Sequence, residues 1–184
     1  MRVYSIVAPS YVDGPGKRVA LFTAGCDHHC PGCQNAHLWP RDAGEEIPPH
    51  DVARALVATG LPITISGGEP FDQPHALARL MREIRRLAPD RHVIVYTGYT
   101  FEDLIATRKY DIFSTLADAD VLVDGSYIQE LDHEAMQYHG STNQCIIDLP
   151  ATFAQPVTLT LTRGPILLND EWDQPESIGR GTKR

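Results

Sequence analysis

Apolar positions along this chain follow two patterns. Short runs rich in β-branched residues read as strands: 18–23 (Arg-Val-Ala-Leu-Phe-Thr), 62–66, 92–97, 120–124 and 144–148. Between them the spacing turns helical. Leu77, Leu80, Met81, Ile84, Leu87 and Ala88 recur every three or four residues and predict a helix over 73–88. Pro74 suits its first turn and Pro89 stops it. Shorter helices are predicted over 50–58, after the Pro48-Pro49 break, and over 101–107. Near the end, 157–161 and 166–168, joined at Arg163-Gly164-Pro165, predict a hairpin, and the polar stretch 169–184 predicts a frayed tail.

Apolar strands alternating with amphipathic helices imply an α/β fold, a mostly parallel sheet with helical crossovers. Residues 1–168 are expected to form a single domain. In such sheets ligands bind beyond the carboxyl ends of the strands. A cysteine-rich loop after 18–23, the turn Gly67-Gly68-Glu69-Pro70, Gly98 and Gly125 all follow predicted strands, so they should gather at one edge.

The chain has 184 residues, 42% of them hydrophobic, and a formal net charge of −8. That charge argues against a nucleic-acid partner, which needs a basic surface against phosphates. Arg79, Arg82, Arg85 and Arg86 form one basic cluster, expected as a solvated helix face or a docking face for an acidic partner. No apolar run approaches the ~20 residues that span a bilayer. The first residues lack a signal peptide's apolar stretch, so a cytoplasmic location is expected.

The chemistry concentrates in the cysteines. Three of the four, Cys26, Cys30 and Cys33, fall within eight residues. This is a metal pattern rather than a disulfide framework. Three thiolates can share one inorganic centre but leave a position open, where a substrate or cofactor can bind. Two plainer readings compete. One is structural zinc with His28, His29 or His37 as fourth ligand. The other is an electron-carrying cluster completed by Cys145, although Cys145 sits in a predicted strand and reads as a buried small hydrophobe. His28 and His29 are expected to be exposed loop residues, Asp124 a strand-end cap, and Asp13-Gly14-Pro15-Gly16 a turn.

Cys-x3-Cys-x2-Cys after a first strand, then Gly-Gly-Glu-Pro after the next, resembles the radical S-adenosylmethionine superfamily. Residues 13–18, 66–71, 96–100, 121–125 and 140–144 (Gly-Ser-Thr-Asn-Gln) narrow the resemblance to the activating proteins of anaerobic ribonucleoside-triphosphate reductase. The resemblance covers roughly residues 4–149. It implies a partial (βα) barrel of the radical S-adenosylmethionine type. It also implies a [4Fe–4S] cluster on Cys26, Cys30 and Cys33, whose fourth iron chelates S-adenosylmethionine. One electron then cleaves the sulfonium, and the 5′-deoxyadenosyl radical takes a hydrogen from a glycine of the reductase's large subunit. A low-potential donor such as flavodoxin or ferredoxin is implied as the source of the electron. Gly67 and Gly68 would let backbone approach the methionine moiety, and Glu69 would accept from its ammonium. Gly32 and Gln34 would touch the nucleoside; Thr97, Gly98 and Asp124 would meet ribose or the partner's glycine loop.

Three positions depart from the pattern: Gly32 and Gln34 stand where aromatic residues are common, and Cys145 where a basic residue often follows. The alternatives are a small radical S-adenosylmethionine enzyme acting on a small molecule, such as a deazapurine synthase, or a non-enzymatic iron–sulfur or zinc module. The short chain, with no evident substrate domain, favours the activase.

Overall fold

Eight strands form one open sheet in the computed structural model, which describes residues 1–132, 138–155 and 165–168. In chain order they are β1 (Arg2–Ser10), β2 (Arg18–Thr23), β3 (Glu45–Glu46), β4 (Ile63–Gly67), β5 (Val93–Tyr96), β6 (Val121–Asp124), β7 (Cys145–Asp148) and β8 (Ile166–Leu167). The α-helices are α1 (Pro49–Ala58), α2 (Pro74–Leu87), α3 (Phe101–Ala106), α4 (Tyr110–Asp118) and α5 (Leu149–Phe153). The strand order is β3-β1-β2-β4-β5-β6-β7-β8. The centre of the sheet, β2-β4-β5-β6, is parallel, as the alternation of strands and helices implies. The flanking pairs are antiparallel.

Alternate residues of the central strands divide between two faces. Leu21 pairs with Ile65, Ile65 with Val95 and Val95 with Leu122, so one apolar row crosses the sheet. With Val19, Ile63 and Val93 it packs against Val52 and Leu56 of α1, Leu77, Leu80, Met81 and Ile84 of α2, and Ile112 and Leu116 of α4. These side chains are at most 4% exposed and form the main core. Ile94, Val121, Val123 and Ile146 belong to a second, smaller cluster, to which Tyr96 adds its ring. The crossover helices α1, α2 and α4 thus share one core and one face, unlike a doubly wound sheet with helices on both sides.

A buried cation lies on the face opposite that core. Arg18 is 0% exposed. It donates from Nε to Thr64 Oγ1 at 2.6 Å and from Nη2 to the Ile63 carbonyl at 2.5 Å. Thr64 Oγ1 donates in turn to the Asp13 carbonyl at 2.6 Å, which draws the turn at 13–16 onto the sheet. Gly14 needs to be glycine: its φ is +123°, and a Cβ would stand 2.8 Å from Ile94 Cδ1. Burial lowers the Arg18 pKa to about 10, which leaves it charged at neutral pH.

His92 lies beside this cation, its Nδ1 3.4 Å from Arg18 Nη2. Burial first, and the Arg18 charge second, hold the imidazole below its ordinary range. The unfolded chain therefore binds a proton near pH 6.5 that the folded chain refuses. Stability contributed by the neutral form is present above that pH and is lost as pH falls below it. Urea titrations between pH 7.5 and 5 should show wild type losing stability that His92→Gln does not lose; parallel curves would show that His92 does not carry this dependence.

Several elements lack a sequence signal. β1 and β3 carry none, whereas α4 does carry one that the sequence reading passed over: Ile112, Thr115 and Leu116 recur at helical spacing and are buried. Of the predicted hairpin only Ile166–Leu167 is described; 157–161 and the tail 169–184 lie outside the described residues. The basic cluster divides. Arg85 is a structural residue, bonded to Asp120 and three carbonyls, and Arg86 pairs with Glu83, while Arg79 and Arg82 are exposed. Among the described residues no helix is long and apolar enough to cross a membrane.

Candidate active site at the strand ends

The cysteine loop leaves β2 and is fastened by backbone to the end of β4. Gly68 N–H donates to the Thr23 carbonyl at 2.8 Å and Glu69 N–H to the Gly25 carbonyl at 2.7 Å. The parallel ladder therefore continues past both strands, beside Cys26. This closeness explains the two glycines. A Cβ on Gly67 (φ +110°) would stand 2.3 Å from Thr23 N, and one on Gly68 would stand 2.3 Å from the Gly25 carbonyl oxygen. Both contacts are with backbone, which cannot step aside.

Glu69 is the hub of the site. It is 1% exposed. Oε1 accepts from Phe71 N–H and the Thr97 hydroxyl, each at 2.9 Å, and Oε2 accepts from Gly98 N–H at 2.7 Å. His28 Nε2 also comes within 3.2 Å of Oε2. That approach is off the hydrogen-bonding axis, because Nε2 has no geometrically satisfactory acceptor, so we treat it as an ion contact. The adjacent Glu69 carboxylate is the main reason the imidazole's pKa is raised. One carboxylate thus joins β4, β5 and the cysteine loop, and Glu69, Thr97 and Gly98 come together as expected from their strand ends.

His28 is only 17% exposed at its side chain, a correction to its expected place as an exposed loop residue. Its ring packs edge-on against Tyr99, with centroids 4.5 Å apart. It also covers Gly98, where a Cβ would stand 2.7 Å from the ring. Sequence reasoning missed three further residues here. Asp72 accepts from the Tyr99 hydroxyl at 2.8 Å and from Asp27 N–H at 3.0 Å, and Arg41 holds the Asp27 carboxylate at 2.8 Å. The only available signal was the position of Asp72 three residues after Glu69, on the 3-10 turn Pro70–Asp72.

The remaining candidates serve differently. Asp124 is buried, and its oxygens accept from Phe101 N–H at 2.6 Å and Cys145 N–H at 3.2 Å. It therefore caps the strand end and the start of α3, and burial raises its carboxyl pKa. Gly125 and the segment after it are stapled by the Gly-Ser-Thr-Asn-Gln motif. Gln144 Nε2 donates to the Gly125 carbonyl at 2.7 Å, and Asn143 Nδ2 donates to the Ser126 carbonyl at 2.8 Å. A pocket of ≈550 Å³ opens here, its lining including His28, Gly98, Tyr99, Asp124 and Cys145. Cys145 is partly buried and packs against the main core, close to the small hydrophobe expected of it. Gly32 and Gln34 are exposed on the rim of the cysteine loop.

The donor set suits an iron–sulfur centre. Cys26, Cys30 and Cys33 are free, partly exposed thiols on one loop, and Asn35 N–H points at Cys33 Sγ from 3.4 Å. Burial, reinforced by Glu69 and Asp72, pushes the Cys26 thiol up to about 11. Ligation must then release a proton. Among the described residues no three Cys, His, Asp or Glu side chains already stand close enough to hold a metal ion, so the loop supplies ligands by residue type rather than as a preformed cage. The nearby histidines pack edge-on against aromatic rings: His28 on Tyr99, His29 on Trp39 at 4.9 Å and His37 on Tyr4 at 5.3 Å.

Residues 12–147 match the family model of a 4Fe-4S single cluster domain. The chain is 33% identical over 145 residues to the anaerobic ribonucleoside-triphosphate reductase-activating protein of Vibrio cholerae, which covers 73% of this chain and 90% of that one. It is 32% identical over 143 residues to the protein of the same name from Escherichia coli K12, with the same coverage. The corresponding protein of Enterobacteria phage T4 is 31% identical over 146 residues, 73% of this chain and 85% of that one.

Proposed function

The chain belongs to the family of anaerobic ribonucleoside-triphosphate reductase-activating proteins, and we propose that it generates a glycyl radical on the large subunit of such a reductase. The observation that carries this reading is the joining of the three-cysteine loop, through Gly67, Gly68 and Glu69, to the ends of the neighbouring parallel strands. Cys26, Cys30 and Cys33 would hold a [4Fe–4S] cluster, which would supply the one electron that splits S-adenosylmethionine into methionine and a 5′-deoxyadenosyl radical.

The protein's own residues bind and orient. Glu69 Oε2 offers its remaining acceptor capacity to the ammonium of S-adenosylmethionine, a charge-assisted contact that displaces the off-axis His28. Gly32 and Gln34 border the nucleoside, while Thr97 and Gly98 set the floor beside it. Asp124 holds the first N–H of α3 and also lines the pocket beside that floor, where ribose or the partner's glycine loop would meet it. The helices α1, α2 and α4 on one face of the parallel strands support reading the sheet as part of a (βα) barrel. A low-potential donor such as flavodoxin or ferredoxin, and a cytoplasmic location, complete the proposal. Residues 1–168 are taken as its single domain.

The test is the destination of a label. Reduced, reconstituted protein mixed with S-adenosylmethionine and the cognate large subunit should give a glycyl radical by electron paramagnetic resonance. Deuterium placed in that glycine should appear in 5′-deoxyadenosine. Deuterium arriving instead from a small molecule, with no protein radical, would replace the activase with the small-molecule enzyme.

A further inference from the structure

We propose that Asp72 is a positioning residue that clamps the cysteine loop against the cofactor cradle. The inference rests on the function proposed above and deepens it. Asp72 sits on the 3-10 turn that follows Glu69, and each of its carboxylate oxygens holds a different part of the site. Oδ2 accepts the N–H of Asp27, the residue directly after Cys26, at 3.0 Å. Oδ1 accepts the Tyr99 hydroxyl at 2.8 Å, and the Tyr99 ring packs on His28, midway between Cys26 and Cys30.

The loop is therefore held twice by one side chain, once through its backbone and once through a packed ring. Burial and Asp72 together keep the Tyr99 phenol protonated, so it remains a donor. Arg41 fixes the Asp27 side chain, which limits rotation of the peptide that Asp72 grips. Glu69 joins the same elements, but its carboxylate meets the loop through the off-axis His28 contact, whereas Asp72 accepts a loop backbone N–H directly. Asp72 also brings a negative charge close to Cys26. Negative charge beside an iron–sulfur cluster disfavours its reduction and so lowers its potential.

Two variants separate the clamp from the charge. Asp72→Asn removes the charge and one good acceptor, while Tyr99→Phe removes one hydrogen bond and leaves the charge. Each should weaken S-adenosylmethionine binding to the reconstituted protein about tenfold, the scale of a lost hydrogen bond to a charged group. Only Asp72→Asn should also raise the cluster's midpoint potential. In the metal-free protein both variants should speed alkylation of Cys26 several-fold, with Cys145 as the internal reference and circular dichroism verifying the fold. If both variants match wild type in affinity and in alkylation rate, the clamp is wrong. If wild-type protein assembles no cluster, the functional reading falls, and the alkylation rates alone decide the clamp.

Discussion

Replacing Cys26, Cys30 or Cys33 with alanine, one at a time, is expected to remove the iron–sulfur cluster, while Cys145→Ala keeps it. Anaerobic reconstitution should load wild type and Cys145→Ala with about four irons per chain. Each triplet variant should lose the visible charge-transfer absorption and all cleavage of S-adenosylmethionine. The structural ground is that the triplet shares one loop beside the Gly67–Glu69 turn. Cys145 opens β7 instead, and its N–H is bound to Asp124. Cys145 serves as the control because it too is a partly buried free thiol. Loss of the cluster in Cys145→Ala would mean that all four protein sulfurs are ligands, with no iron left open for a cofactor.

Glu69→Ala is expected to damage the protein twice. First, it strips the acceptor from three donors, Phe71 N–H, the Thr97 hydroxyl and Gly98 N–H, around a side chain that is 1% exposed. At about 1 kcal/mol for each stranded donor, the fold should lose roughly 3 kcal/mol. Second, it removes the carboxylate proposed to receive the cofactor's ammonium, worth about 1.5–3 kcal/mol of affinity. Glu69→Gln, which keeps the shape but turns one acceptor into a donor facing another donor, should fall between Glu69→Ala and wild type. Chemical denaturation and an anaerobic titration read the two effects apart. An unchanged denaturation midpoint in Glu69→Ala would remove Glu69 as the structural hub. Unchanged affinity would remove it from the cofactor site.

The sequence made the centre of the fold legible because β2, β4, β5 and β6 are buried on both faces. Such strands read as short runs dense in β-branched and apolar residues, and α2 between them has one clean apolar stripe. β1 escaped notice for the opposite physical reason. From Tyr4 to Pro9 it is largely exposed, so no alternation of period two is written into it. The site divided along a similar line. Cysteine spacing and a Gly-Gly turn are local signals, readable within a few residues. Beyond the local bond to Phe71, the partners of Glu69 on the β5 end are 28 and 29 residues away and those of Asp72 are 27 and 45 away, so only the folded sheet reveals them. His28 was misjudged because its burial comes from Tyr99 and Gly98, on a strand end distant in sequence.

The strand ladder sets an order in which the site can come apart. All three cluster ligands lie on one loop of eight residues, so bringing them together closes little chain. The surrounding cradle draws on β2, β4, β5 and β6, and closing it orders more than a hundred residues of chain, from Arg18 to Asp124. Loop closure costs the second assembly about 2 kcal/mol more than the first. As the fold loosens, the cradle is expected to dissolve before the local chelate does. A damaged or newly made chain can thus hold iron without being able to turn it on S-adenosylmethionine, and a radical becomes possible only when the whole sheet has closed.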